Sequence, residues 1–154
     1  MSLPASVTIV PTCSRLVRNT VRLVKSEFEA ANIQLTFKTT KKELYHSIDE
    51  QLIEMVLINL IKNARESFTA SENKLVIIEV VKKNQDIVIT ITDNGTGITD
   101  EAKEKIFMPF YSTKQRGSGI GLSLSSQIMQ MHNGEIQLDS VMGKGSSFKL
   151  IFYP

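Results

Sequence analysis

The sequence has a single cysteine, Cys13, in 154 residues. That excludes an internal disulfide and leaves no thiolate cluster for a metal. No histidine lies near Cys13 in sequence, so nothing local activates it as a nucleophile. Charge of one sign is also lacking, since the formal net charge is only +2. So small an excess argues for neither nucleic acid nor membrane contact. The basic pairs Lys41-Lys42 and Lys82-Lys83 are isolated and read as solvated turns. Long hydrophobic runs are missing. The most apolar stretch, Leu52 to Ile61, is interrupted by Glu54 and Asn59 and is too short to span a bilayer. No signal peptide, internal repeat or low-complexity segment is visible. What remains is an ordinary soluble globular domain. The single cysteine fits an intracellular setting.

What is present is concentrated. Five of the eight glycines fall between Asp93 and Leu122. Glycine lets backbone approach a ligand closely. The pattern Asp93-Asn94-Gly95-Thr96-Gly97-Ile98, then Lys114, then Gly117-Ser118-Gly119-Ile120-Gly121-Leu122, suggests a nucleotide pocket with a cover. Residues 15 to 153 read as one domain. Residues 1 to 14 read as an N-terminal extended segment, with Met1-Ser2-Leu3 an expression scar.

Periodicity fills in the rest. Thr12 is a plausible N-cap for a helix from Cys13 to Ala31, with Leu16, Val17, Val21, Val24 and Phe28 on one face. Ile33 to Phe37 alternates as a half-buried strand, and Leu44 to Ile48 is expected to pair with it as a hairpin. Asp49 caps a helix from Glu50 to about Ser67. Its apolar stripe is interrupted by Asn59 and Asn63, four residues apart and therefore on one side. A buried unpaired amide costs roughly 1–3 kcal/mol, so these two ask for partners.

Leu75 to Val81 and Asp86 to Thr92 read as strands. In the second, Ile87, Ile89 and Ile91 share a face, and Asp93 continues the parity onto the covered side. A carboxylate there is costly unless something answers it. A short helix from Thr99-Asp100 to about Ile106 is stopped by Pro109. Ile120 to His132 returns to helix, with Leu124, Ile128 and Met131 on one face and Gly134 as the left-handed residue that ends it. Glu135 to Ser140 and Ser147 to Phe152 are the last strands. Strand pairs joined only by turns point to an α+β fold. The expected architecture is a two-layer sandwich, a mixed and mostly antiparallel sheet covered on one face by helices.

The familiar phosphate motifs fail. Gly143-Lys144-Gly145 lacks P-loop spacing, and Gly117-x-Gly119-x-Gly121 neither follows a strand nor has dinucleotide-fold spacing. The protein-kinase segments are absent. A different series is present. An Asn-bearing helix is followed by Asp-x-Gly-x-Gly and by Ile106-Phe107-Met108-Pro109-Phe110 with a downstream lysine. Gly-x-Gly-x-Gly-Leu then opens a helix, and Gly143-Lys144-Gly145-Ser146-Ser147-Phe148 comes last. This series closely resembles the catalytic, ATP-binding domain of sensor histidine kinases. That family shares its Bergerat-type ATP fold with gyrase-type topoisomerases, the Hsp90 chaperones and MutL proteins. The resemblance runs from Arg15 to Phe152.

It implies ATP and Mg²⁺ as ligands. Asp93 would accept from the adenine amine, with Gly95, Gly97 and Ile98 close to the base. Asn63 matches a Mg²⁺ ligand. Asn59 would bond phosphate or metal-bound water. Lys114 matches a lid lysine that reaches the triphosphate, so Asn59 and Lys114 are the expected catalytic residues. Gly117, Gly119, Gly121 and Leu122 would wrap the phosphates. Ser147 would touch a phosphate or cap its strand. Glu66 would orient Asn63 or a basic neighbour, or lie on the surface. Arg116 would add charge or be solvated. Phe107 and Phe110 would dock the lid, Ile98 to Arg116, or serve as core aromatics. Neither His46 nor His132 fits as a phosphoacceptor. The partners implied are a dimerising helical hairpin that carries the acceptor histidine and, indirectly, a response regulator. The alternatives are an anti-sigma-type protein-serine kinase, a gyrase-class ATPase and a nucleotide-sensing module. The gyrase class uses a glutamate where this chain has Asn59.

Overall fold

Strict alternation along one segment builds the centre of the sheet. In the computed structural model, which describes residues 8–10, 13–40, 46–69, 73–111 and 121–154, that segment is β5 (Asp86–Asp93). It lies between β4 (Leu75–Lys83) and β7 (Gly145–Phe152). β6 (Gly134–Val141) adds one edge against β7, and β2 (Gln34–Thr39) adds the other against β4. All pairs in this five-stranded sheet are antiparallel except β2–β4. The sheet is therefore mixed and mostly antiparallel, as expected. β4–β5 and β6–β7 are hairpins of local chain. The β5–β7 seam is not local, and it sets Ile91 against Phe148 and Asp93 against Ser146.

The strand after β2 pairs differently from expectation. β3 (His46–Ile48) does not form a hairpin with β2. It pairs antiparallel with β1 (Thr8–Val10), Thr8 opposite Ile48. The cause is the helix between β1 and β2. α1 (Cys13–Ala30) has 18 residues, about 27 Å, and carries the chain to the far end of the layer. β2 runs back, so the chain reaches β3 near where β1 ended, with His46 opposite Val10. β2 is left to pair in parallel with β4, across a crossover that contains α2 (Glu50–Arg65). Parallel strands require such a crossover.

α1 and α2 bury one stripe each. Leu16, Val17 and Phe28 of α1 join Ile53, Val56, Leu57, Leu60 and Ile61 of α2 over Ile78, Val80, Ile89 and Leu150. Cys13 sits in this core, and burial pushes its thiol up to about 12 against one opposing backbone hydrogen bond. A thiol held so firmly protonated is no nucleophile. The expected N-cap Thr12 lies outside the described residues.

α3 (Asp100–Lys103) is capped by Thr99, whose hydroxyl accepts from the Ala102 N–H at 3.1 Å. α4 (Gly121–Met131) buries Ser125, Ile128 and Met129, while Leu124 is exposed. Its inner face is thus rotated from the one apolar residues alone suggest. Two polar side chains on that face, Ser125 and His132, are buried because each has a partner on α2 or at its start. The left-handed residue after α4 is Asn133, with φ 54°, and not Gly134. Gly134 is small for another reason. A Cβ there would stand 2.3 Å from the Ile151 carbonyl oxygen.

His132 is buried and neutral. Its Nε2 accepts from the Asp49 N–H at 2.9 Å, so the proton sits on Nδ1 and is donated to the Ile128 carbonyl at 2.7 Å. Burial holds its pKa below the usual value, opposed by the Ile128 carbonyl and by Asp49. The unfolded chain takes up a proton near the ordinary value, about 6.5. The folded chain refuses one until the pH is lower. Stability contributed by the neutral ring is therefore complete above about pH 6.5 and is lost as pH falls toward the depressed folded value. Thermal melting from about pH 7.5 down to 5.5 should show this slope. His132→Gln should flatten it, and an unchanged slope in that variant would refute the assignment.

Candidate nucleotide site

β5 delivers Asp93 to the covered face at the strand's end, 6% exposed. The Gly95 N–H donates to its Oδ1 at 2.9 Å. The Ser67 hydroxyl and the Ser146 N–H also reach the carboxyl group. Burial raises its pKa, and these three donors pull it back without cancelling the rise. The Ser67 hydroxyl is also 2.7 Å from the Ala64 carbonyl oxygen. A hydroxyl has one proton, so Ser67 serves either its own helix or Asp93 at a given moment. The result is a covered acceptor, incompletely satisfied, at the mouth of a strand. That suits an incoming N–H donor such as an aromatic amine.

The chain after Asp93 is pressed between two neighbours. On one side is the end of α2. The Thr96 N–H donates to the Ser67 carbonyl at 3.0 Å, and a Cβ on Gly95 would stand 2.1 Å from Ser67 Oγ. On the other side is the β6–β7 turn. The Gly143 N–H donates to the Thr96 carbonyl at 2.8 Å, and a Cβ on Gly97 would stand 2.3 Å from the Val141 oxygen. Asn94 ties the outer side, accepting from the Leu75 N–H at 2.7 Å and donating to the Asn73 carbonyl at 2.8 Å. Both glycines are thus close-approach positions.

A second group forms where α2 meets α4. A Cβ on Gly121 would stand 2.4 Å from Asn59 Oδ1, so the first turn of α4 lies on that amide. Asn59 Nδ2 donates to Ser125 Oγ at 3.3 Å. Asn63 is half-buried one turn further along α2. Ile98 and Leu122 are half-buried against the core. Glu66 faces Lys62 at 4.0 Å on the outer side of the helix. Phe107 packs on the core, whereas Phe110 is 80% exposed with a left-handed φ of 66°.

Ser147 is not brought to either group. The alternation of β7 turns it to the opposite face, where its hydroxyl meets that of Thr92 at 3.0 Å. Its neighbour Ser146 stands opposite Asp93 instead. Lys114, Arg116, Gly117 and Gly119 lie outside the described residues. Sequence reasoning missed Ser67, Ser125 and Ser146 as members of the site. For Ser146 the parity of β7 opposite β5 was an available signal; for the other two the partners are dozens of residues away.

Among the described residues there is no group of three or more His, Cys, Asp or Glu side chains that could hold a metal. Asn63 offers a neutral oxygen. That fits Mg²⁺, which binds through few protein ligands and draws others from phosphates and water. No helix among the described residues is long and apolar enough to cross a membrane.

Comparison with known proteins bears on the same residues. Residues 48–154 match the family model described as histidine kinase-, DNA gyrase B-, and HSP90-like ATPase. Sporulation kinase E of Bacillus subtilis is 30% identical over 137 residues, covering 89% of this chain and 18% of that protein. The signal transduction histidine-protein kinase AtoS of Escherichia coli is 34% identical over 136 residues, covering 88% and 22%. This chain thus spans less than a third of the length of the curated relatives it matches. Among solved structures, the catalytic domain of the histidine kinase ThkA superposes with a TM-score of 0.84 at 30% identity, over 96% of this chain and 95% of that one. ThkA in complex with the response regulator protein TrrA gives 0.80 at 28% identity, over 95% of this chain and 41% of that one.

Proposed function

The chain belongs to the histidine kinase-, DNA gyrase B-, and HSP90-like ATPase family, as an ATP-binding catalytic domain of the sensor histidine kinase type, and from that premise we propose that it positions Mg²⁺-ATP for phosphoryl transfer to a histidine outside this chain. The acceptor would lie on a dimerising helical hairpin of the parent protein. A response regulator would receive the phosphoryl group afterwards, as the ThkA–TrrA complex suggests by analogy. The parent would act on the cytoplasmic side, free or membrane-anchored.

One observation supports this above the others. Asp93 is a buried carboxylate with spare acceptor capacity at the end of a strand, between an Asn-bearing helix and a glycine-bearing turn. Asp93 would take the adenine amine. Gly95 and Gly97 let the adjoining backbone pack against Ser67 and Val141, which would keep Asp93 in place beside the base. Asn63 would hold Mg²⁺ and Asn59 a phosphate oxygen or metal-bound water, with Gly121 and Leu122 at the helix start nearby. Lys114, Gly117 and Gly119 would complete the phosphate end. Bound Mg²⁺ would neutralise charge on the phosphates. The residues of the chain then have little covalent chemistry to perform, and their work is positioning and charge stabilisation.

Asn59 also argues against brisk hydrolysis, because a neutral amide cannot act as general base toward water. The test supplies the chain with a purified histidine-bearing hairpin and ATP labelled on its terminal phosphate. Acid-labile phosphate should appear on the hairpin, and the chain alone should remain unlabelled. Acid-stable phosphate on a protein partner would replace this proposal with the serine-kinase alternative. Rapid hydrolysis without a hairpin would replace it with the ATPase alternative. Good ATP binding with no transfer would leave a sensing module.

A further inference from the structure

One hydroxyl outside the expected set links the start of the lid segment to the holder of Asp93. Ser140 is buried near the end of β6, opposite Ser146 in the ladder. Its Oγ accepts from the Ile98 N–H at 2.7 Å, donates to the Gly145 carbonyl at 3.0 Å, and lies 2.8 Å from Ser146 Oγ. A serine hydroxyl has one proton and two lone pairs. A carbonyl can only accept, so the proton of Ser140 goes to Gly145. The contact with Ser146 is then a donation from Ser146. The capacity of Ser140 Oγ is fully used.

Its three partners are not equivalent parts of the fold. Ile98 is the first residue after the Asp-x-Gly-x-Gly run and the start of the expected lid. Gly145 presses on Asp93, since a Cβ there would stand 2.0 Å from the Asp93 carbonyl oxygen. Ser146 holds the Asp93 carboxyl group through its N–H. The backbone of Ser140 adds a fourth link. Its carbonyl accepts from Lys103 Nζ at 2.9 Å, and Lys103 also pairs with Asp100 at 2.8 Å within α3. The segment from Ile98 to Lys103 is therefore fastened at both ends to one residue, which also braces the holder of Asp93.

We propose that Ser140 is a positioning residue for nucleotide binding, setting the start of the lid segment and the Asp93 carboxylate in one fixed relation. The proposal rests on the assignment of Asp93 to the adenine amine. Its consequence is that residues 98–103 stay with the sheet. Loss of the hydroxyl should loosen Ile98 and Asp93 together, though Ser140 itself is not expected to touch the nucleotide.

The test compares the native chain with Ser140→Ala, Ser140→Thr and Lys103→Met. ATP affinity is read by calorimetry, and amide hydrogen exchange is read residue by residue in the absence of nucleotide. Ser140→Ala should weaken ATP binding about tenfold and speed exchange at Ile98 at least about tenfold, with exchange at Ile89 and Leu150 unchanged. Ser140→Thr, which keeps the hydroxyl, should restore most of the affinity. Lys103→Met, on the outer side, should weaken binding about threefold, and it carries the test if Ser140→Ala does not fold. Unchanged ATP affinity with faster Ile98 exchange would overturn the proposal, because the tie would then be purely structural. Uniformly faster exchange across the sheet would overturn it as well. Failure of the underlying assignment looks different, since Asp93→Asn would then bind ATP as well as the native chain.

Discussion

Asp93→Asn should fold normally and lose ATP binding by about a hundredfold or beyond detection. The substitution is nearly isosteric, and one oxygen remains to accept from the Gly95 N–H. What changes is the other atom. The carboxylate offers only acceptors, whereas the amide presents an NH₂ group toward an incoming amine that also brings hydrogens. A hydrogen bond to a charged partner is worth roughly 1.5–3 kcal/mol, and a buried donor left facing a donor costs a further 1–3 kcal/mol. At about 1.4 kcal/mol per tenfold, the sum of roughly 2.5–6 kcal/mol is on the order of a hundredfold at its lower end and far more at its upper. The same residue sets a pH dependence. Burial raises its pKa, and the donors from Gly95, Ser67 and Ser146 only moderate that rise. ATP affinity should therefore decline on acidification from a pH above the ordinary carboxylate range, because the protonated group can no longer accept in the same way. Calorimetric titration across that range checks it. Unchanged affinity in Asp93→Asn would remove the base pocket from this position.

Gly145→Ala should lower the melting temperature by on the order of 10 °C, whereas Gly143→Ala should lower it by only a few degrees. The two glycines sit two residues apart in one turn and both have left-handed φ, 123° and 81°. They differ in space. A Cβ on Gly143 meets nothing within 4 Å, but one on Gly145 would stand 2.0 Å from the Asp93 carbonyl oxygen and 2.9 Å from Asn94 Cα. Backbone strain alone costs about 1–3 kcal/mol. The collision adds roughly 1–3 kcal/mol, since backbone on backbone has no flexible end to give way. In a domain of this size, 1 kcal/mol shifts the midpoint by about 2–4 °C. Paired melting curves separate the two causes. Equal shifts would mean that the β6–β7 turn does not press on the end of β5.

The course of the chain was legible wherever one face of an element decided its pattern. β5 alternates because its inner face is buried against helices, and that alternation alone aimed Asp93 correctly. Asp49 as an N-cap was equally local, and its Oδ1 does accept from the Gln51 and Leu52 N–H groups. Partner choice was not legible. Nothing in Ile33 to Phe37 tells a strand that its neighbour will be β4, because the length of α1 and the crossover through α2 decide that. Errors of one residue also mattered. One separates Ser147 from Ser146, since a one-residue slip along a strand turns a side chain to the other face, and a one-residue shift at the end of α4 makes Asn133 rather than Gly134 the left-handed residue. Serines were the least legible of all. Ser67, Ser125 and Ser140 look like surface or helix-end residues until the hydroxyls' distant partners are in place.

The position of Asp93 on the β5–β7 seam has a consequence for when the site comes into being. The two hairpins, β4–β5 and β6–β7, close over short stretches of chain and are the kind of contact that forms early. The seam between them joins Asp93 to Ser146 across more than fifty residues that include α3 and α4. A chain with both hairpins made and the seam open would hold most of its sheet and no place for a base. With Asp93 as the proposed acceptor for the base, nucleotide would recognise only a chain in which the seam is made, and its binding energy would be added to the native state alone. Asp93 and the Ser146 N–H that holds it meet only when the two hairpins dock.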